Sequence, residues 1–335
     1  MRPRIFITQP VAPSAIARLR AISDVDLNPD PLHIPGKDEL IAAVRGHDIL
    51  FCLLHDNIDG DIVRANPRLR AIASMSITPS NIDVAAATGL GIPVTATPRA
   101  LLDDSTADIA FALLLAVGRR LIEADRHVRA GIVLGCQSSY LEARGVSGRT
   151  LGILGMGGVG RAMARRARAF GMKLLYHDPR RLSEQEQGAL GLTWVPFEQL
   201  LAESDYVSIH AALTPQTRHL IGARELGLMK REAYLINTAR GPIVDEAALI
   251  PALAERRIAG AGLDVYESEP DINRAYADLP NVALTPHMGS AVVQVREVTA
   301  NAVVDNILAI LDGKHPPNCC NEEIYATRAQ ALRDP

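Results

Sequence analysis

The sequence has a small net charge, few cysteines and no long apolar run. Each of these features argues against one class of protein. A formal net charge of −3 over 335 residues argues against a nucleic-acid partner, which would need a concentrated basic face. The four cysteines, including the adjacent pair Cys319–Cys320, lack zinc-site or disulfide spacing, so we expect no metal and a reducing compartment. The most apolar segment, IAFALLLAV, is too short to span a bilayer, and no secretory signal is visible. We therefore expect a cytoplasmic protein with no membrane partner.

The hydrophobic pattern falls into two series of alternating strands and helices, as expected for a chain too long for one core. The first series contains the strand-like runs RIFITQ, DILFCLL and LRAIASM. The second contains LGILG, KLLYHD, YVSIHA, AYLINTA, AGAGLDV and NVALTP. One helical stretch from about Ser105 to Arg129 leads into the second series, and a final helix over about 290–313 can return to the first domain.

This alternation predicts an α/β protein with parallel sheets and crossover helices. We expect a Rossmann-type nucleotide-binding domain over 103–287, inserted in a flavodoxin-like substrate domain. The substrate domain would consist of 1–102 and 288–318, followed by a C-terminal tail over 319–335.

The strongest local motif is the glycine-rich stretch LGILGMGGVGRAMARRARAF. Gly155, Gly157 and Gly160 form G-x-G-x-x-G directly after an apolar strand and at the start of a helix. The first glycine permits the tight turn, the second allows close approach of a pyrophosphate, and the third lets the helix pack on the strand. Because the strand, the helix and a following acidic residue all occur at the required places, the motif predicts a dinucleotide site.

Asp178 ends the second strand of this series and predicts which dinucleotide binds. Its carboxylate can accept hydrogen bonds from the ribose hydroxyls and would repel a 2′-phosphate, which favours NAD. Arg180 and Arg181 follow at once, and an arginine there can accommodate the extra phosphate. NADP therefore stays open as an alternative.

Polar residues at three other strand ends predict the chemistry. Arg240 follows AYLINTA, Glu267 and Glu269 follow AGAGLDV, and His287 follows NVALTP. Ligands of such sheets bind beyond the carboxyl ends of the strands, so these side chains should meet the dinucleotide. A guanidinium can hold a substrate carboxylate, and an imidazolium supported by a carboxylate can give a proton to a keto oxygen. This set suits hydride transfer to a 2-oxo acid.

These motifs resemble the D-isomer-specific 2-hydroxyacid dehydrogenase family, in its order and spacing, from the first strand to about Pro317. The resemblance rests on LGILGMGGVG, HDPR, INTARGPIVDEAAL, AGLDVYESEP and TPHMGSA. It implies that Arg240, Glu269 (rather than Glu267) and His287 are catalytic, and that the protein is a homodimer formed largely through the nucleotide-binding domains. It further implies cofactor contacts by Thr106, Gly158, Val159, Asp178, Ala211, Thr238, Ala239, Asp264 and Gly289.

The substrate loop departs from the family's pattern, which usually reads like N-x-G-x-G-x-D-N-I-D. In SMSITPSNID, over 74–83, Ser76 and Thr78 replace glycines and Pro79 removes a backbone donor. One interpretation is neutral variation in a loop that still donates from Ile77 and Thr78. The other is that the Ser76 and Thr78 hydroxyls contact a small hydroxylated 2-oxo acid, such as glyoxylate or hydroxypyruvate.

Two alternative functions remain. The segments GILGMG, TPHMGSAV and VDNILAI also resemble phosphite dehydrogenase, but that enzyme places a lysine where this chain has Ile77. Loss of that cation disfavours phosphite oxidation, because charge-assisted contacts to anions are the strong ones. The other alternative is an NAD-binding sensor or corepressor-like scaffold with little turnover. The intact set of Arg240, Glu269 and His287 favours an enzyme.

Overall fold

A computed structural model describes residues 2–325, so the RAQALRDP segment that we expect to be poorly ordered lies outside the described residues. The chain divides into two compact units. The first comprises the chain up to Leu101 together with the segment from Val292 onward, and the second is Leu102–Ala291. Within the part of the chain that is described, no helix combines the length and apolarity needed to cross a membrane.

The first unit is built on a five-stranded parallel sheet in the order β2-β1-β3-β4-β5. The strands are β1 (Arg4–Ile7), β2 (Asp24–Leu27), β3 (Ile49–Cys52), β4 (Ala71–Ser74) and β5 (Val94–Thr95). Its helices are α1 (Pro13–Ile22), α2 (Lys37–Gly46), α3 (Gly60–Arg64), α4 (Val84–Gly89) and α12 (Val293–Leu311), with a 3₁₀ turn at Arg99–Leu101. Buried residues of α1 and α12 pack on one face of the sheet, and those of α2, α3 and α4 on the other. This strand order is that of flavodoxin-like folds.

The second unit is built on a seven-stranded parallel sheet in the order β12-β11-β10-β9-β6-β7-β8. Its strands are β6 (Thr150–Leu154), β7 (Lys173–His177), β8 (Leu192–Trp194), β9 (Tyr206–Ile209), β10 (Tyr234–Asn237), β11 (Gly260–Leu263) and β12 (Val282–Leu284). Its helices are α5 (Asp103–Gly118), α6 (Leu121–Arg129), α7 (Gly158–Ala169), α8 (Glu184–Leu190), α9 (Phe197–Glu203), α10 (Ala223–Leu228) and α11 (Glu246–Ala254), with 3₁₀ turns at Gly241–Ile243 and Arg274–Asp278. The strand order reverses between β6 and β9, which is the switch point where Rossmann-type sheets bind ligands.

The predicted α/β class, with Rossmann-type and flavodoxin-like sheets, is confirmed. The prediction of one helix from Ser105 to Arg129 is wrong, because α5 ends at Gly118 and α6 begins at Leu121. Arg120 between them has the left-handed φ of 52°, a conformation that a continuing α-helix cannot contain. Three strands were also missed, namely β2, β5 and β8, and all three lie at sheet edges.

Candidate active site

Two glycines of the turn after β6 are required by the fold itself. Gly155 has a φ of +90°, and a Cβ there would lie 2.6 Å from the backbone N of Ala211. A Cβ at Gly160 would lie 2.2 Å from the carbonyl oxygen of Gly155. No larger residue fits either position, so β6, α7 and the loop after β9 pack together at the switch point.

Gly157 is different, because a Cβ built on it would meet no protein atom within 4 Å. Its backbone conformation, φ −73° and ψ −162°, is open to other residues. The open space lies at the start of the twelve-residue helix α7, whose first turn includes Gly158 and Val159. Backbone N–H groups and the helix dipole favour an anion there, so this space suits a pyrophosphate.

Asp178, directly after β7, lies beside the same turn. One carboxylate oxygen accepts a hydrogen bond from the Met156 backbone N (2.8 Å), and the other accepts one from the Arg180 backbone N (2.8 Å). The carboxylate is thereby turned toward β6 and the glycine turn. In a Rossmann-type sheet this is the position that meets the adenosine ribose.

Two buried polar atoms along the same edge have no hydrogen-bond partner among residues 2–325. They are Thr238 Oγ1, directly after β10, and His210 Nδ1, directly after β9 and next to Ala211. Burial lowers the pKa of His210 to about 3, so its ring is neutral. Unsatisfied buried polar atoms are rare in folded proteins, and a bound polar ligand is one explanation for them. Together with the space at Gly157, they fit a dinucleotide.

His287 and Glu269 form a direct pair at the ends of β12 and β11. The His287 Nδ1 lies 2.6 Å from Glu269 Oε2, and both side chains are about four-fifths buried, with exposures of 22% and 18%. Glu269 Oε1 accepts a hydrogen bond from the Tyr266 backbone N (2.9 Å), which fixes the carboxylate. The His287 backbone is in the left-handed region, with a φ of 58°.

Asp264 holds the loop that carries His287. Its side chain is fully buried and accepts hydrogen bonds from Thr285 Oγ1 (2.6 Å), the Met288 N (2.7 Å) and the Gly289 N (3.0 Å). Its carbonyl oxygen accepts one from the His287 N (2.9 Å). A Cβ on Gly289 would lie 3.2 Å from Thr106 Oγ1, so the first turn of α5 reaches this loop too.

Arg240 follows β10 on a loop that packs tightly against the loop after β11. A Cβ on Gly241 would lie 1.8 Å from the Tyr266 carbonyl oxygen, so only glycine permits this approach. The Asn237 side chain donates to the Arg240 carbonyl (3.0 Å), Ala239 N donates to the Asn237 side chain, and Arg240 Nη1 donates to the Ala239 carbonyl (2.6 Å). Arg240, Glu269 and His287 thus follow three adjacent strands at one edge of the sheet.

Glu267 is engaged elsewhere. It lies 2.6 Å from His219 Nε2 and 3.2 Å from Arg218 Nη2. Ligand atoms of His219, Asp245 and Glu267 lie within 4.8 Å of one another, although the three residues are far apart in the sequence and have no metal-ligand spacing there. Because Glu267 already pairs with two side chains of basic type, it is not available to support His287.

The residues of the predicted substrate loop, Ser76, Ile77 and Thr78, follow β4 in the first unit. The buried Ser76 hydroxyl donates to the Thr78 carbonyl (3.1 Å) and lies 2.7 Å from Ser74 Oγ. Thr78 Oγ1 accepts a long hydrogen bond from Arg99 (3.4 Å). Within residues 2–325, the backbone N–H groups of Ile77 and Thr78 have no protein acceptor. The loop therefore offers backbone donors, while the Ser76 hydroxyl braces the loop itself.

Sequence reasoning missed several supporting residues. Tyr266 and Thr285 lie within the quoted motifs AGLDVYESEP and TPHMGSA, so their closeness to Glu269 and His287 in the sequence could have pointed to them. Arg99 and the buried Asp56, which accepts from Leu53 N (2.6 Å) and from the Thr8 hydroxyl, lie outside any motif. Only the folded chain reveals them.

A parallel sheet of Rossmann type, an open glycine turn at its switch point and a buried histidine–carboxylate pair at the same edge define a dinucleotide-dependent oxidoreductase. Residues 111–289 match the sequence model of the family described as D-isomer specific 2-hydroxyacid dehydrogenase, NAD binding domain. The glyoxylate reductase of Thermococcus litoralis is 44% identical over 331 residues, which cover 98% of this chain and 99% of that protein. The glyoxylate reductase of Korarchaeum cryptofilum is 44% identical over 330 residues, with 98% of each chain covered.

Solved structures give the same result. A D-isomer specific 2-hydroxyacid dehydrogenase from a Polaromonas species has a TM-score of 0.89 and 34% identity, covering 95% of this chain and 99% of that one. The NADPH-dependent glyoxylate/hydroxypyruvate reductase of Sinorhizobium meliloti, in complex with NADP and malonate, has a TM-score of 0.81 and 31% identity, covering 96% and 98%. The chain belongs to the D-isomer-specific 2-hydroxyacid dehydrogenase family. It is an oxidoreductase that binds a nicotinamide dinucleotide and acts between hydroxy acids and oxo acids.

Proposed function

We propose that the protein reduces small 2-oxo acids of the glyoxylate or hydroxypyruvate type to 2-hydroxy acids, with NADH as the reductant. The observation that carries the proposal is the 2.6 Å contact between His287 and Glu269 at the sheet edge that also bears Arg240. The similarity to two glyoxylate reductases, each 44% identical to this chain, supports the choice of substrate.

Each member of this set has a role that its chemistry suits. Arg240 binds the substrate carboxylate through paired hydrogen bonds and polarises the keto oxygen. His287 gives a proton to that oxygen, and Glu269 orients the ring through its contact with Nδ1. The bound dinucleotide supplies the hydride. The residues proposed to hold it are Thr106, Gly155, Gly157, Gly158, Val159, Gly160, Asp178, Ala211, Thr238, Ala239, Asp264 and Gly289.

The proposed dinucleotide residues belong to the unit Leu102–Ala291, and the proposed substrate loop belongs to the first unit. The unpartnered N–H groups of Ile77 and Thr78 suit a carboxylate, as do paired donors in other anion sites. Ser76 braces the loop, so any hydroxyl contact to the substrate comes from Thr78.

NAD(H) is the proposed cofactor because Asp178 places a carboxylate beside the glycine turn. We also propose a cytoplasmic homodimer. The dimer is supported by apolar side chains exposed along α6 and the segment after it.

The test is a screen of 2-oxo acids with NADH and NADPH, followed by absorbance at the nicotinamide band. We expect glyoxylate or hydroxypyruvate to be reduced ahead of branched-chain oxo acids, and NADH to be preferred. Faster reduction of branched-chain acids would contradict the proposed substrate. NADH formation from phosphite would instead support the phosphite dehydrogenase alternative.

The same assay tests the scaffold alternative. Deleting a general acid should lower the rate by about 10²–10⁴-fold, so His287→Ala should be nearly inactive. Equal turnover in the wild type and His287→Ala would end the case for His287 as the acid.

A further inference from the structure

Trp194, the one tryptophan of the chain, lies beside Asp178, the residue proposed to select NAD. It ends β8 and pairs in register with Tyr176 on β7. Its indole N–H donates to the Asp178 carbonyl oxygen (3.3 Å). The guanidinium carbon of Arg181 lies 5.1 Å from the centre of its ring, which is a cation–π contact. Trp194 therefore contacts both Asp178, which favours NAD, and Arg181, which could accommodate the extra phosphate of NADP.

The strand order shows on which side of β7 each charge lies. The Asp178 carboxylate accepts from Met156 N and so faces β6 and the glycine turn. Trp194 lies on β8, on the other side of β7. The stack thus draws Arg181 toward the outer edge of the sheet, away from the glycine turn. No ion pair of 4 Å or less joins Arg181 to Asp178 among the described residues.

A second cation of this region is also engaged. Arg161 on α7 pairs with Glu186 on α8 (2.8 Å). Hydrogen bonds from Ser183, together with Arg161, lower the pKa of Glu186 to about 2, so the glutamate is charged. Arg181 and Arg161 are thus each held by another side chain, and neither is paired with Asp178.

We propose that Trp194 is a specificity-determining residue, because its stack on Arg181 withdraws the guanidinium that a 2′-phosphate would need. The inference rests on the proposed preference for NAD(H) and assigns part of that preference to Trp194. A stack of this kind shifts an equilibrium by about 2- to 5-fold, and a released arginine gains a charge-assisted contact to phosphate in addition. Loss of the ring should therefore favour 2′-phosphorylated ligands by about 10-fold.

The experiment compares two adenosine fragments by titration calorimetry, 2′,5′-ADP and 5′-AMP, which differ in the 2′-phosphate. Trp194→Leu should bind 2′,5′-ADP about 10-fold more tightly than the wild type and bind 5′-AMP unchanged. The double variant Trp194→Leu/Arg181→Ala should lose this gain. Trp194→Leu/Arg180→Ala is the matched control and should keep it. Melting temperatures report whether each variant is folded.

Weaker binding of 2′,5′-ADP by Trp194→Leu would overturn the proposal, since it would mean that the ring positions Arg181 for the phosphate. Equal changes for both fragments would overturn it too, because they would indicate a structural role. If Trp194→Leu does not fold, the single variant Arg181→Ala tests the proposal. Unchanged binding of 2′,5′-ADP would support the withdrawal of the Arg181 guanidinium by Trp194, and weaker binding would contradict it. The wild type tests the NAD(H) preference separately. If the wild type binds 2′,5′-ADP more tightly than 5′-AMP, the proposed preference for NAD(H) is wrong.

Discussion

At the scale of the residue, the contacts of His287 determine which of its nitrogen atoms can exchange a proton with the substrate. Nδ1 faces Glu269 at 2.6 Å, so a proton passed to a substrate has to be carried by Nε2. Asp264 fixes the backbone that carries the ring, because it accepts hydrogen bonds from the N–H groups of His287, Met288 and Gly289. The orientation of the proposed acid is therefore set by two carboxylates, one of which contacts its ring.

Glu269→Gln should lower kcat by about 10- to 100-fold, because the amide keeps the shape but loses the charge that stabilises an imidazolium. Glu267→Gln is the matched control, two residues earlier in the same loop, and should change kcat only a few-fold because Glu267 pairs with His219 and Arg218. Steady-state kinetics across pH measures both variants. Equal losses would show that neither carboxylate acts specifically on His287.

His210 should make the second unit sensitive to acid. Burial lowers its pKa from 6.5 in the unfolded chain to about 3, so the unfolded state binds a proton that the folded state does not. The contribution of His210 to the free energy of unfolding is therefore fully present above about pH 6.5. It is lost as the pH drops toward 3, by up to about 2 kcal/mol between pH 7 and pH 5.

His210→Asn removes this titration and should flatten the pH dependence of the urea midpoint over that interval. Fluorescence of Trp194 follows the unfolding, because it lies in the same unit. An unaltered slope in His210→Asn would contradict the assignment.

At the scale of the element, the turn between β6 and α7 uses its glycines for two different purposes. Gly155 and Gly160 are needed because other protein atoms occupy the place of a side chain. Gly157 faces open space, and the proposed pyrophosphate is what would occupy it.

This difference predicts opposite effects of two alanine substitutions. Gly157→Ala should leave the melting temperature almost unchanged and weaken NADH binding by about 10-fold or more, because the methyl group enters the proposed phosphate space. Gly160→Ala should lower the melting temperature by several degrees, because its Cβ would overlap the Gly155 carbonyl. Calorimetric melting and NADH titration measure both. A destabilised Gly157→Ala with normal NADH affinity would reverse the assignment.

At the scale of the whole molecule, exposed apolar side chains concentrate in one segment. Six of the large apolar residues at the surface lie on α6 and directly after it: Leu121, Ile122, Val128, Ile132, Val133 and Leu134. Exposed apolar residues grouped along one segment are typical of an association surface, which supports the proposed dimer. It belongs to the unit Leu102–Ala291, the unit through which the family resemblance implies dimerisation.

If this segment forms the proposed dimer interface, Val128→Glu with Val133→Glu should convert the dimer to a monomer, since two buried charges cost more than the apolar contacts they replace. These valines are 62% and 69% exposed in the single chain. Val293→Glu, at a valine of α12 that is 78% exposed in the first unit, is the control and should not change the assembly. Sedimentation velocity distinguishes the outcomes. A dimer that survives both charges would place the interface elsewhere.

Much of the fold could be read from the sequence because strong local patterns coincide with buried elements. The strands around TLGILG, YVSIHA and AYLINTA are long apolar runs in the middle of a sheet, where both faces are covered. The missed strands β2, β5 and β8 are short edge strands, and β2 alternates exposed and half-buried residues. The break at Arg120 was missed because the apolar pattern of α5 runs on into α6.

By itself the sequence determined the two α/β series, the glycine turn, the acidic residue after β7 and the family. It did so because each depends on residue types at fixed short spacings. Only the tertiary structure decided that Glu267 pairs with His219 and Arg218, that the Ser76 hydroxyl is turned inward, and that Arg181 lies on Trp194. These are contacts between residues far apart in the chain, or choices between neighbours, and they depend on how strands and loops pack.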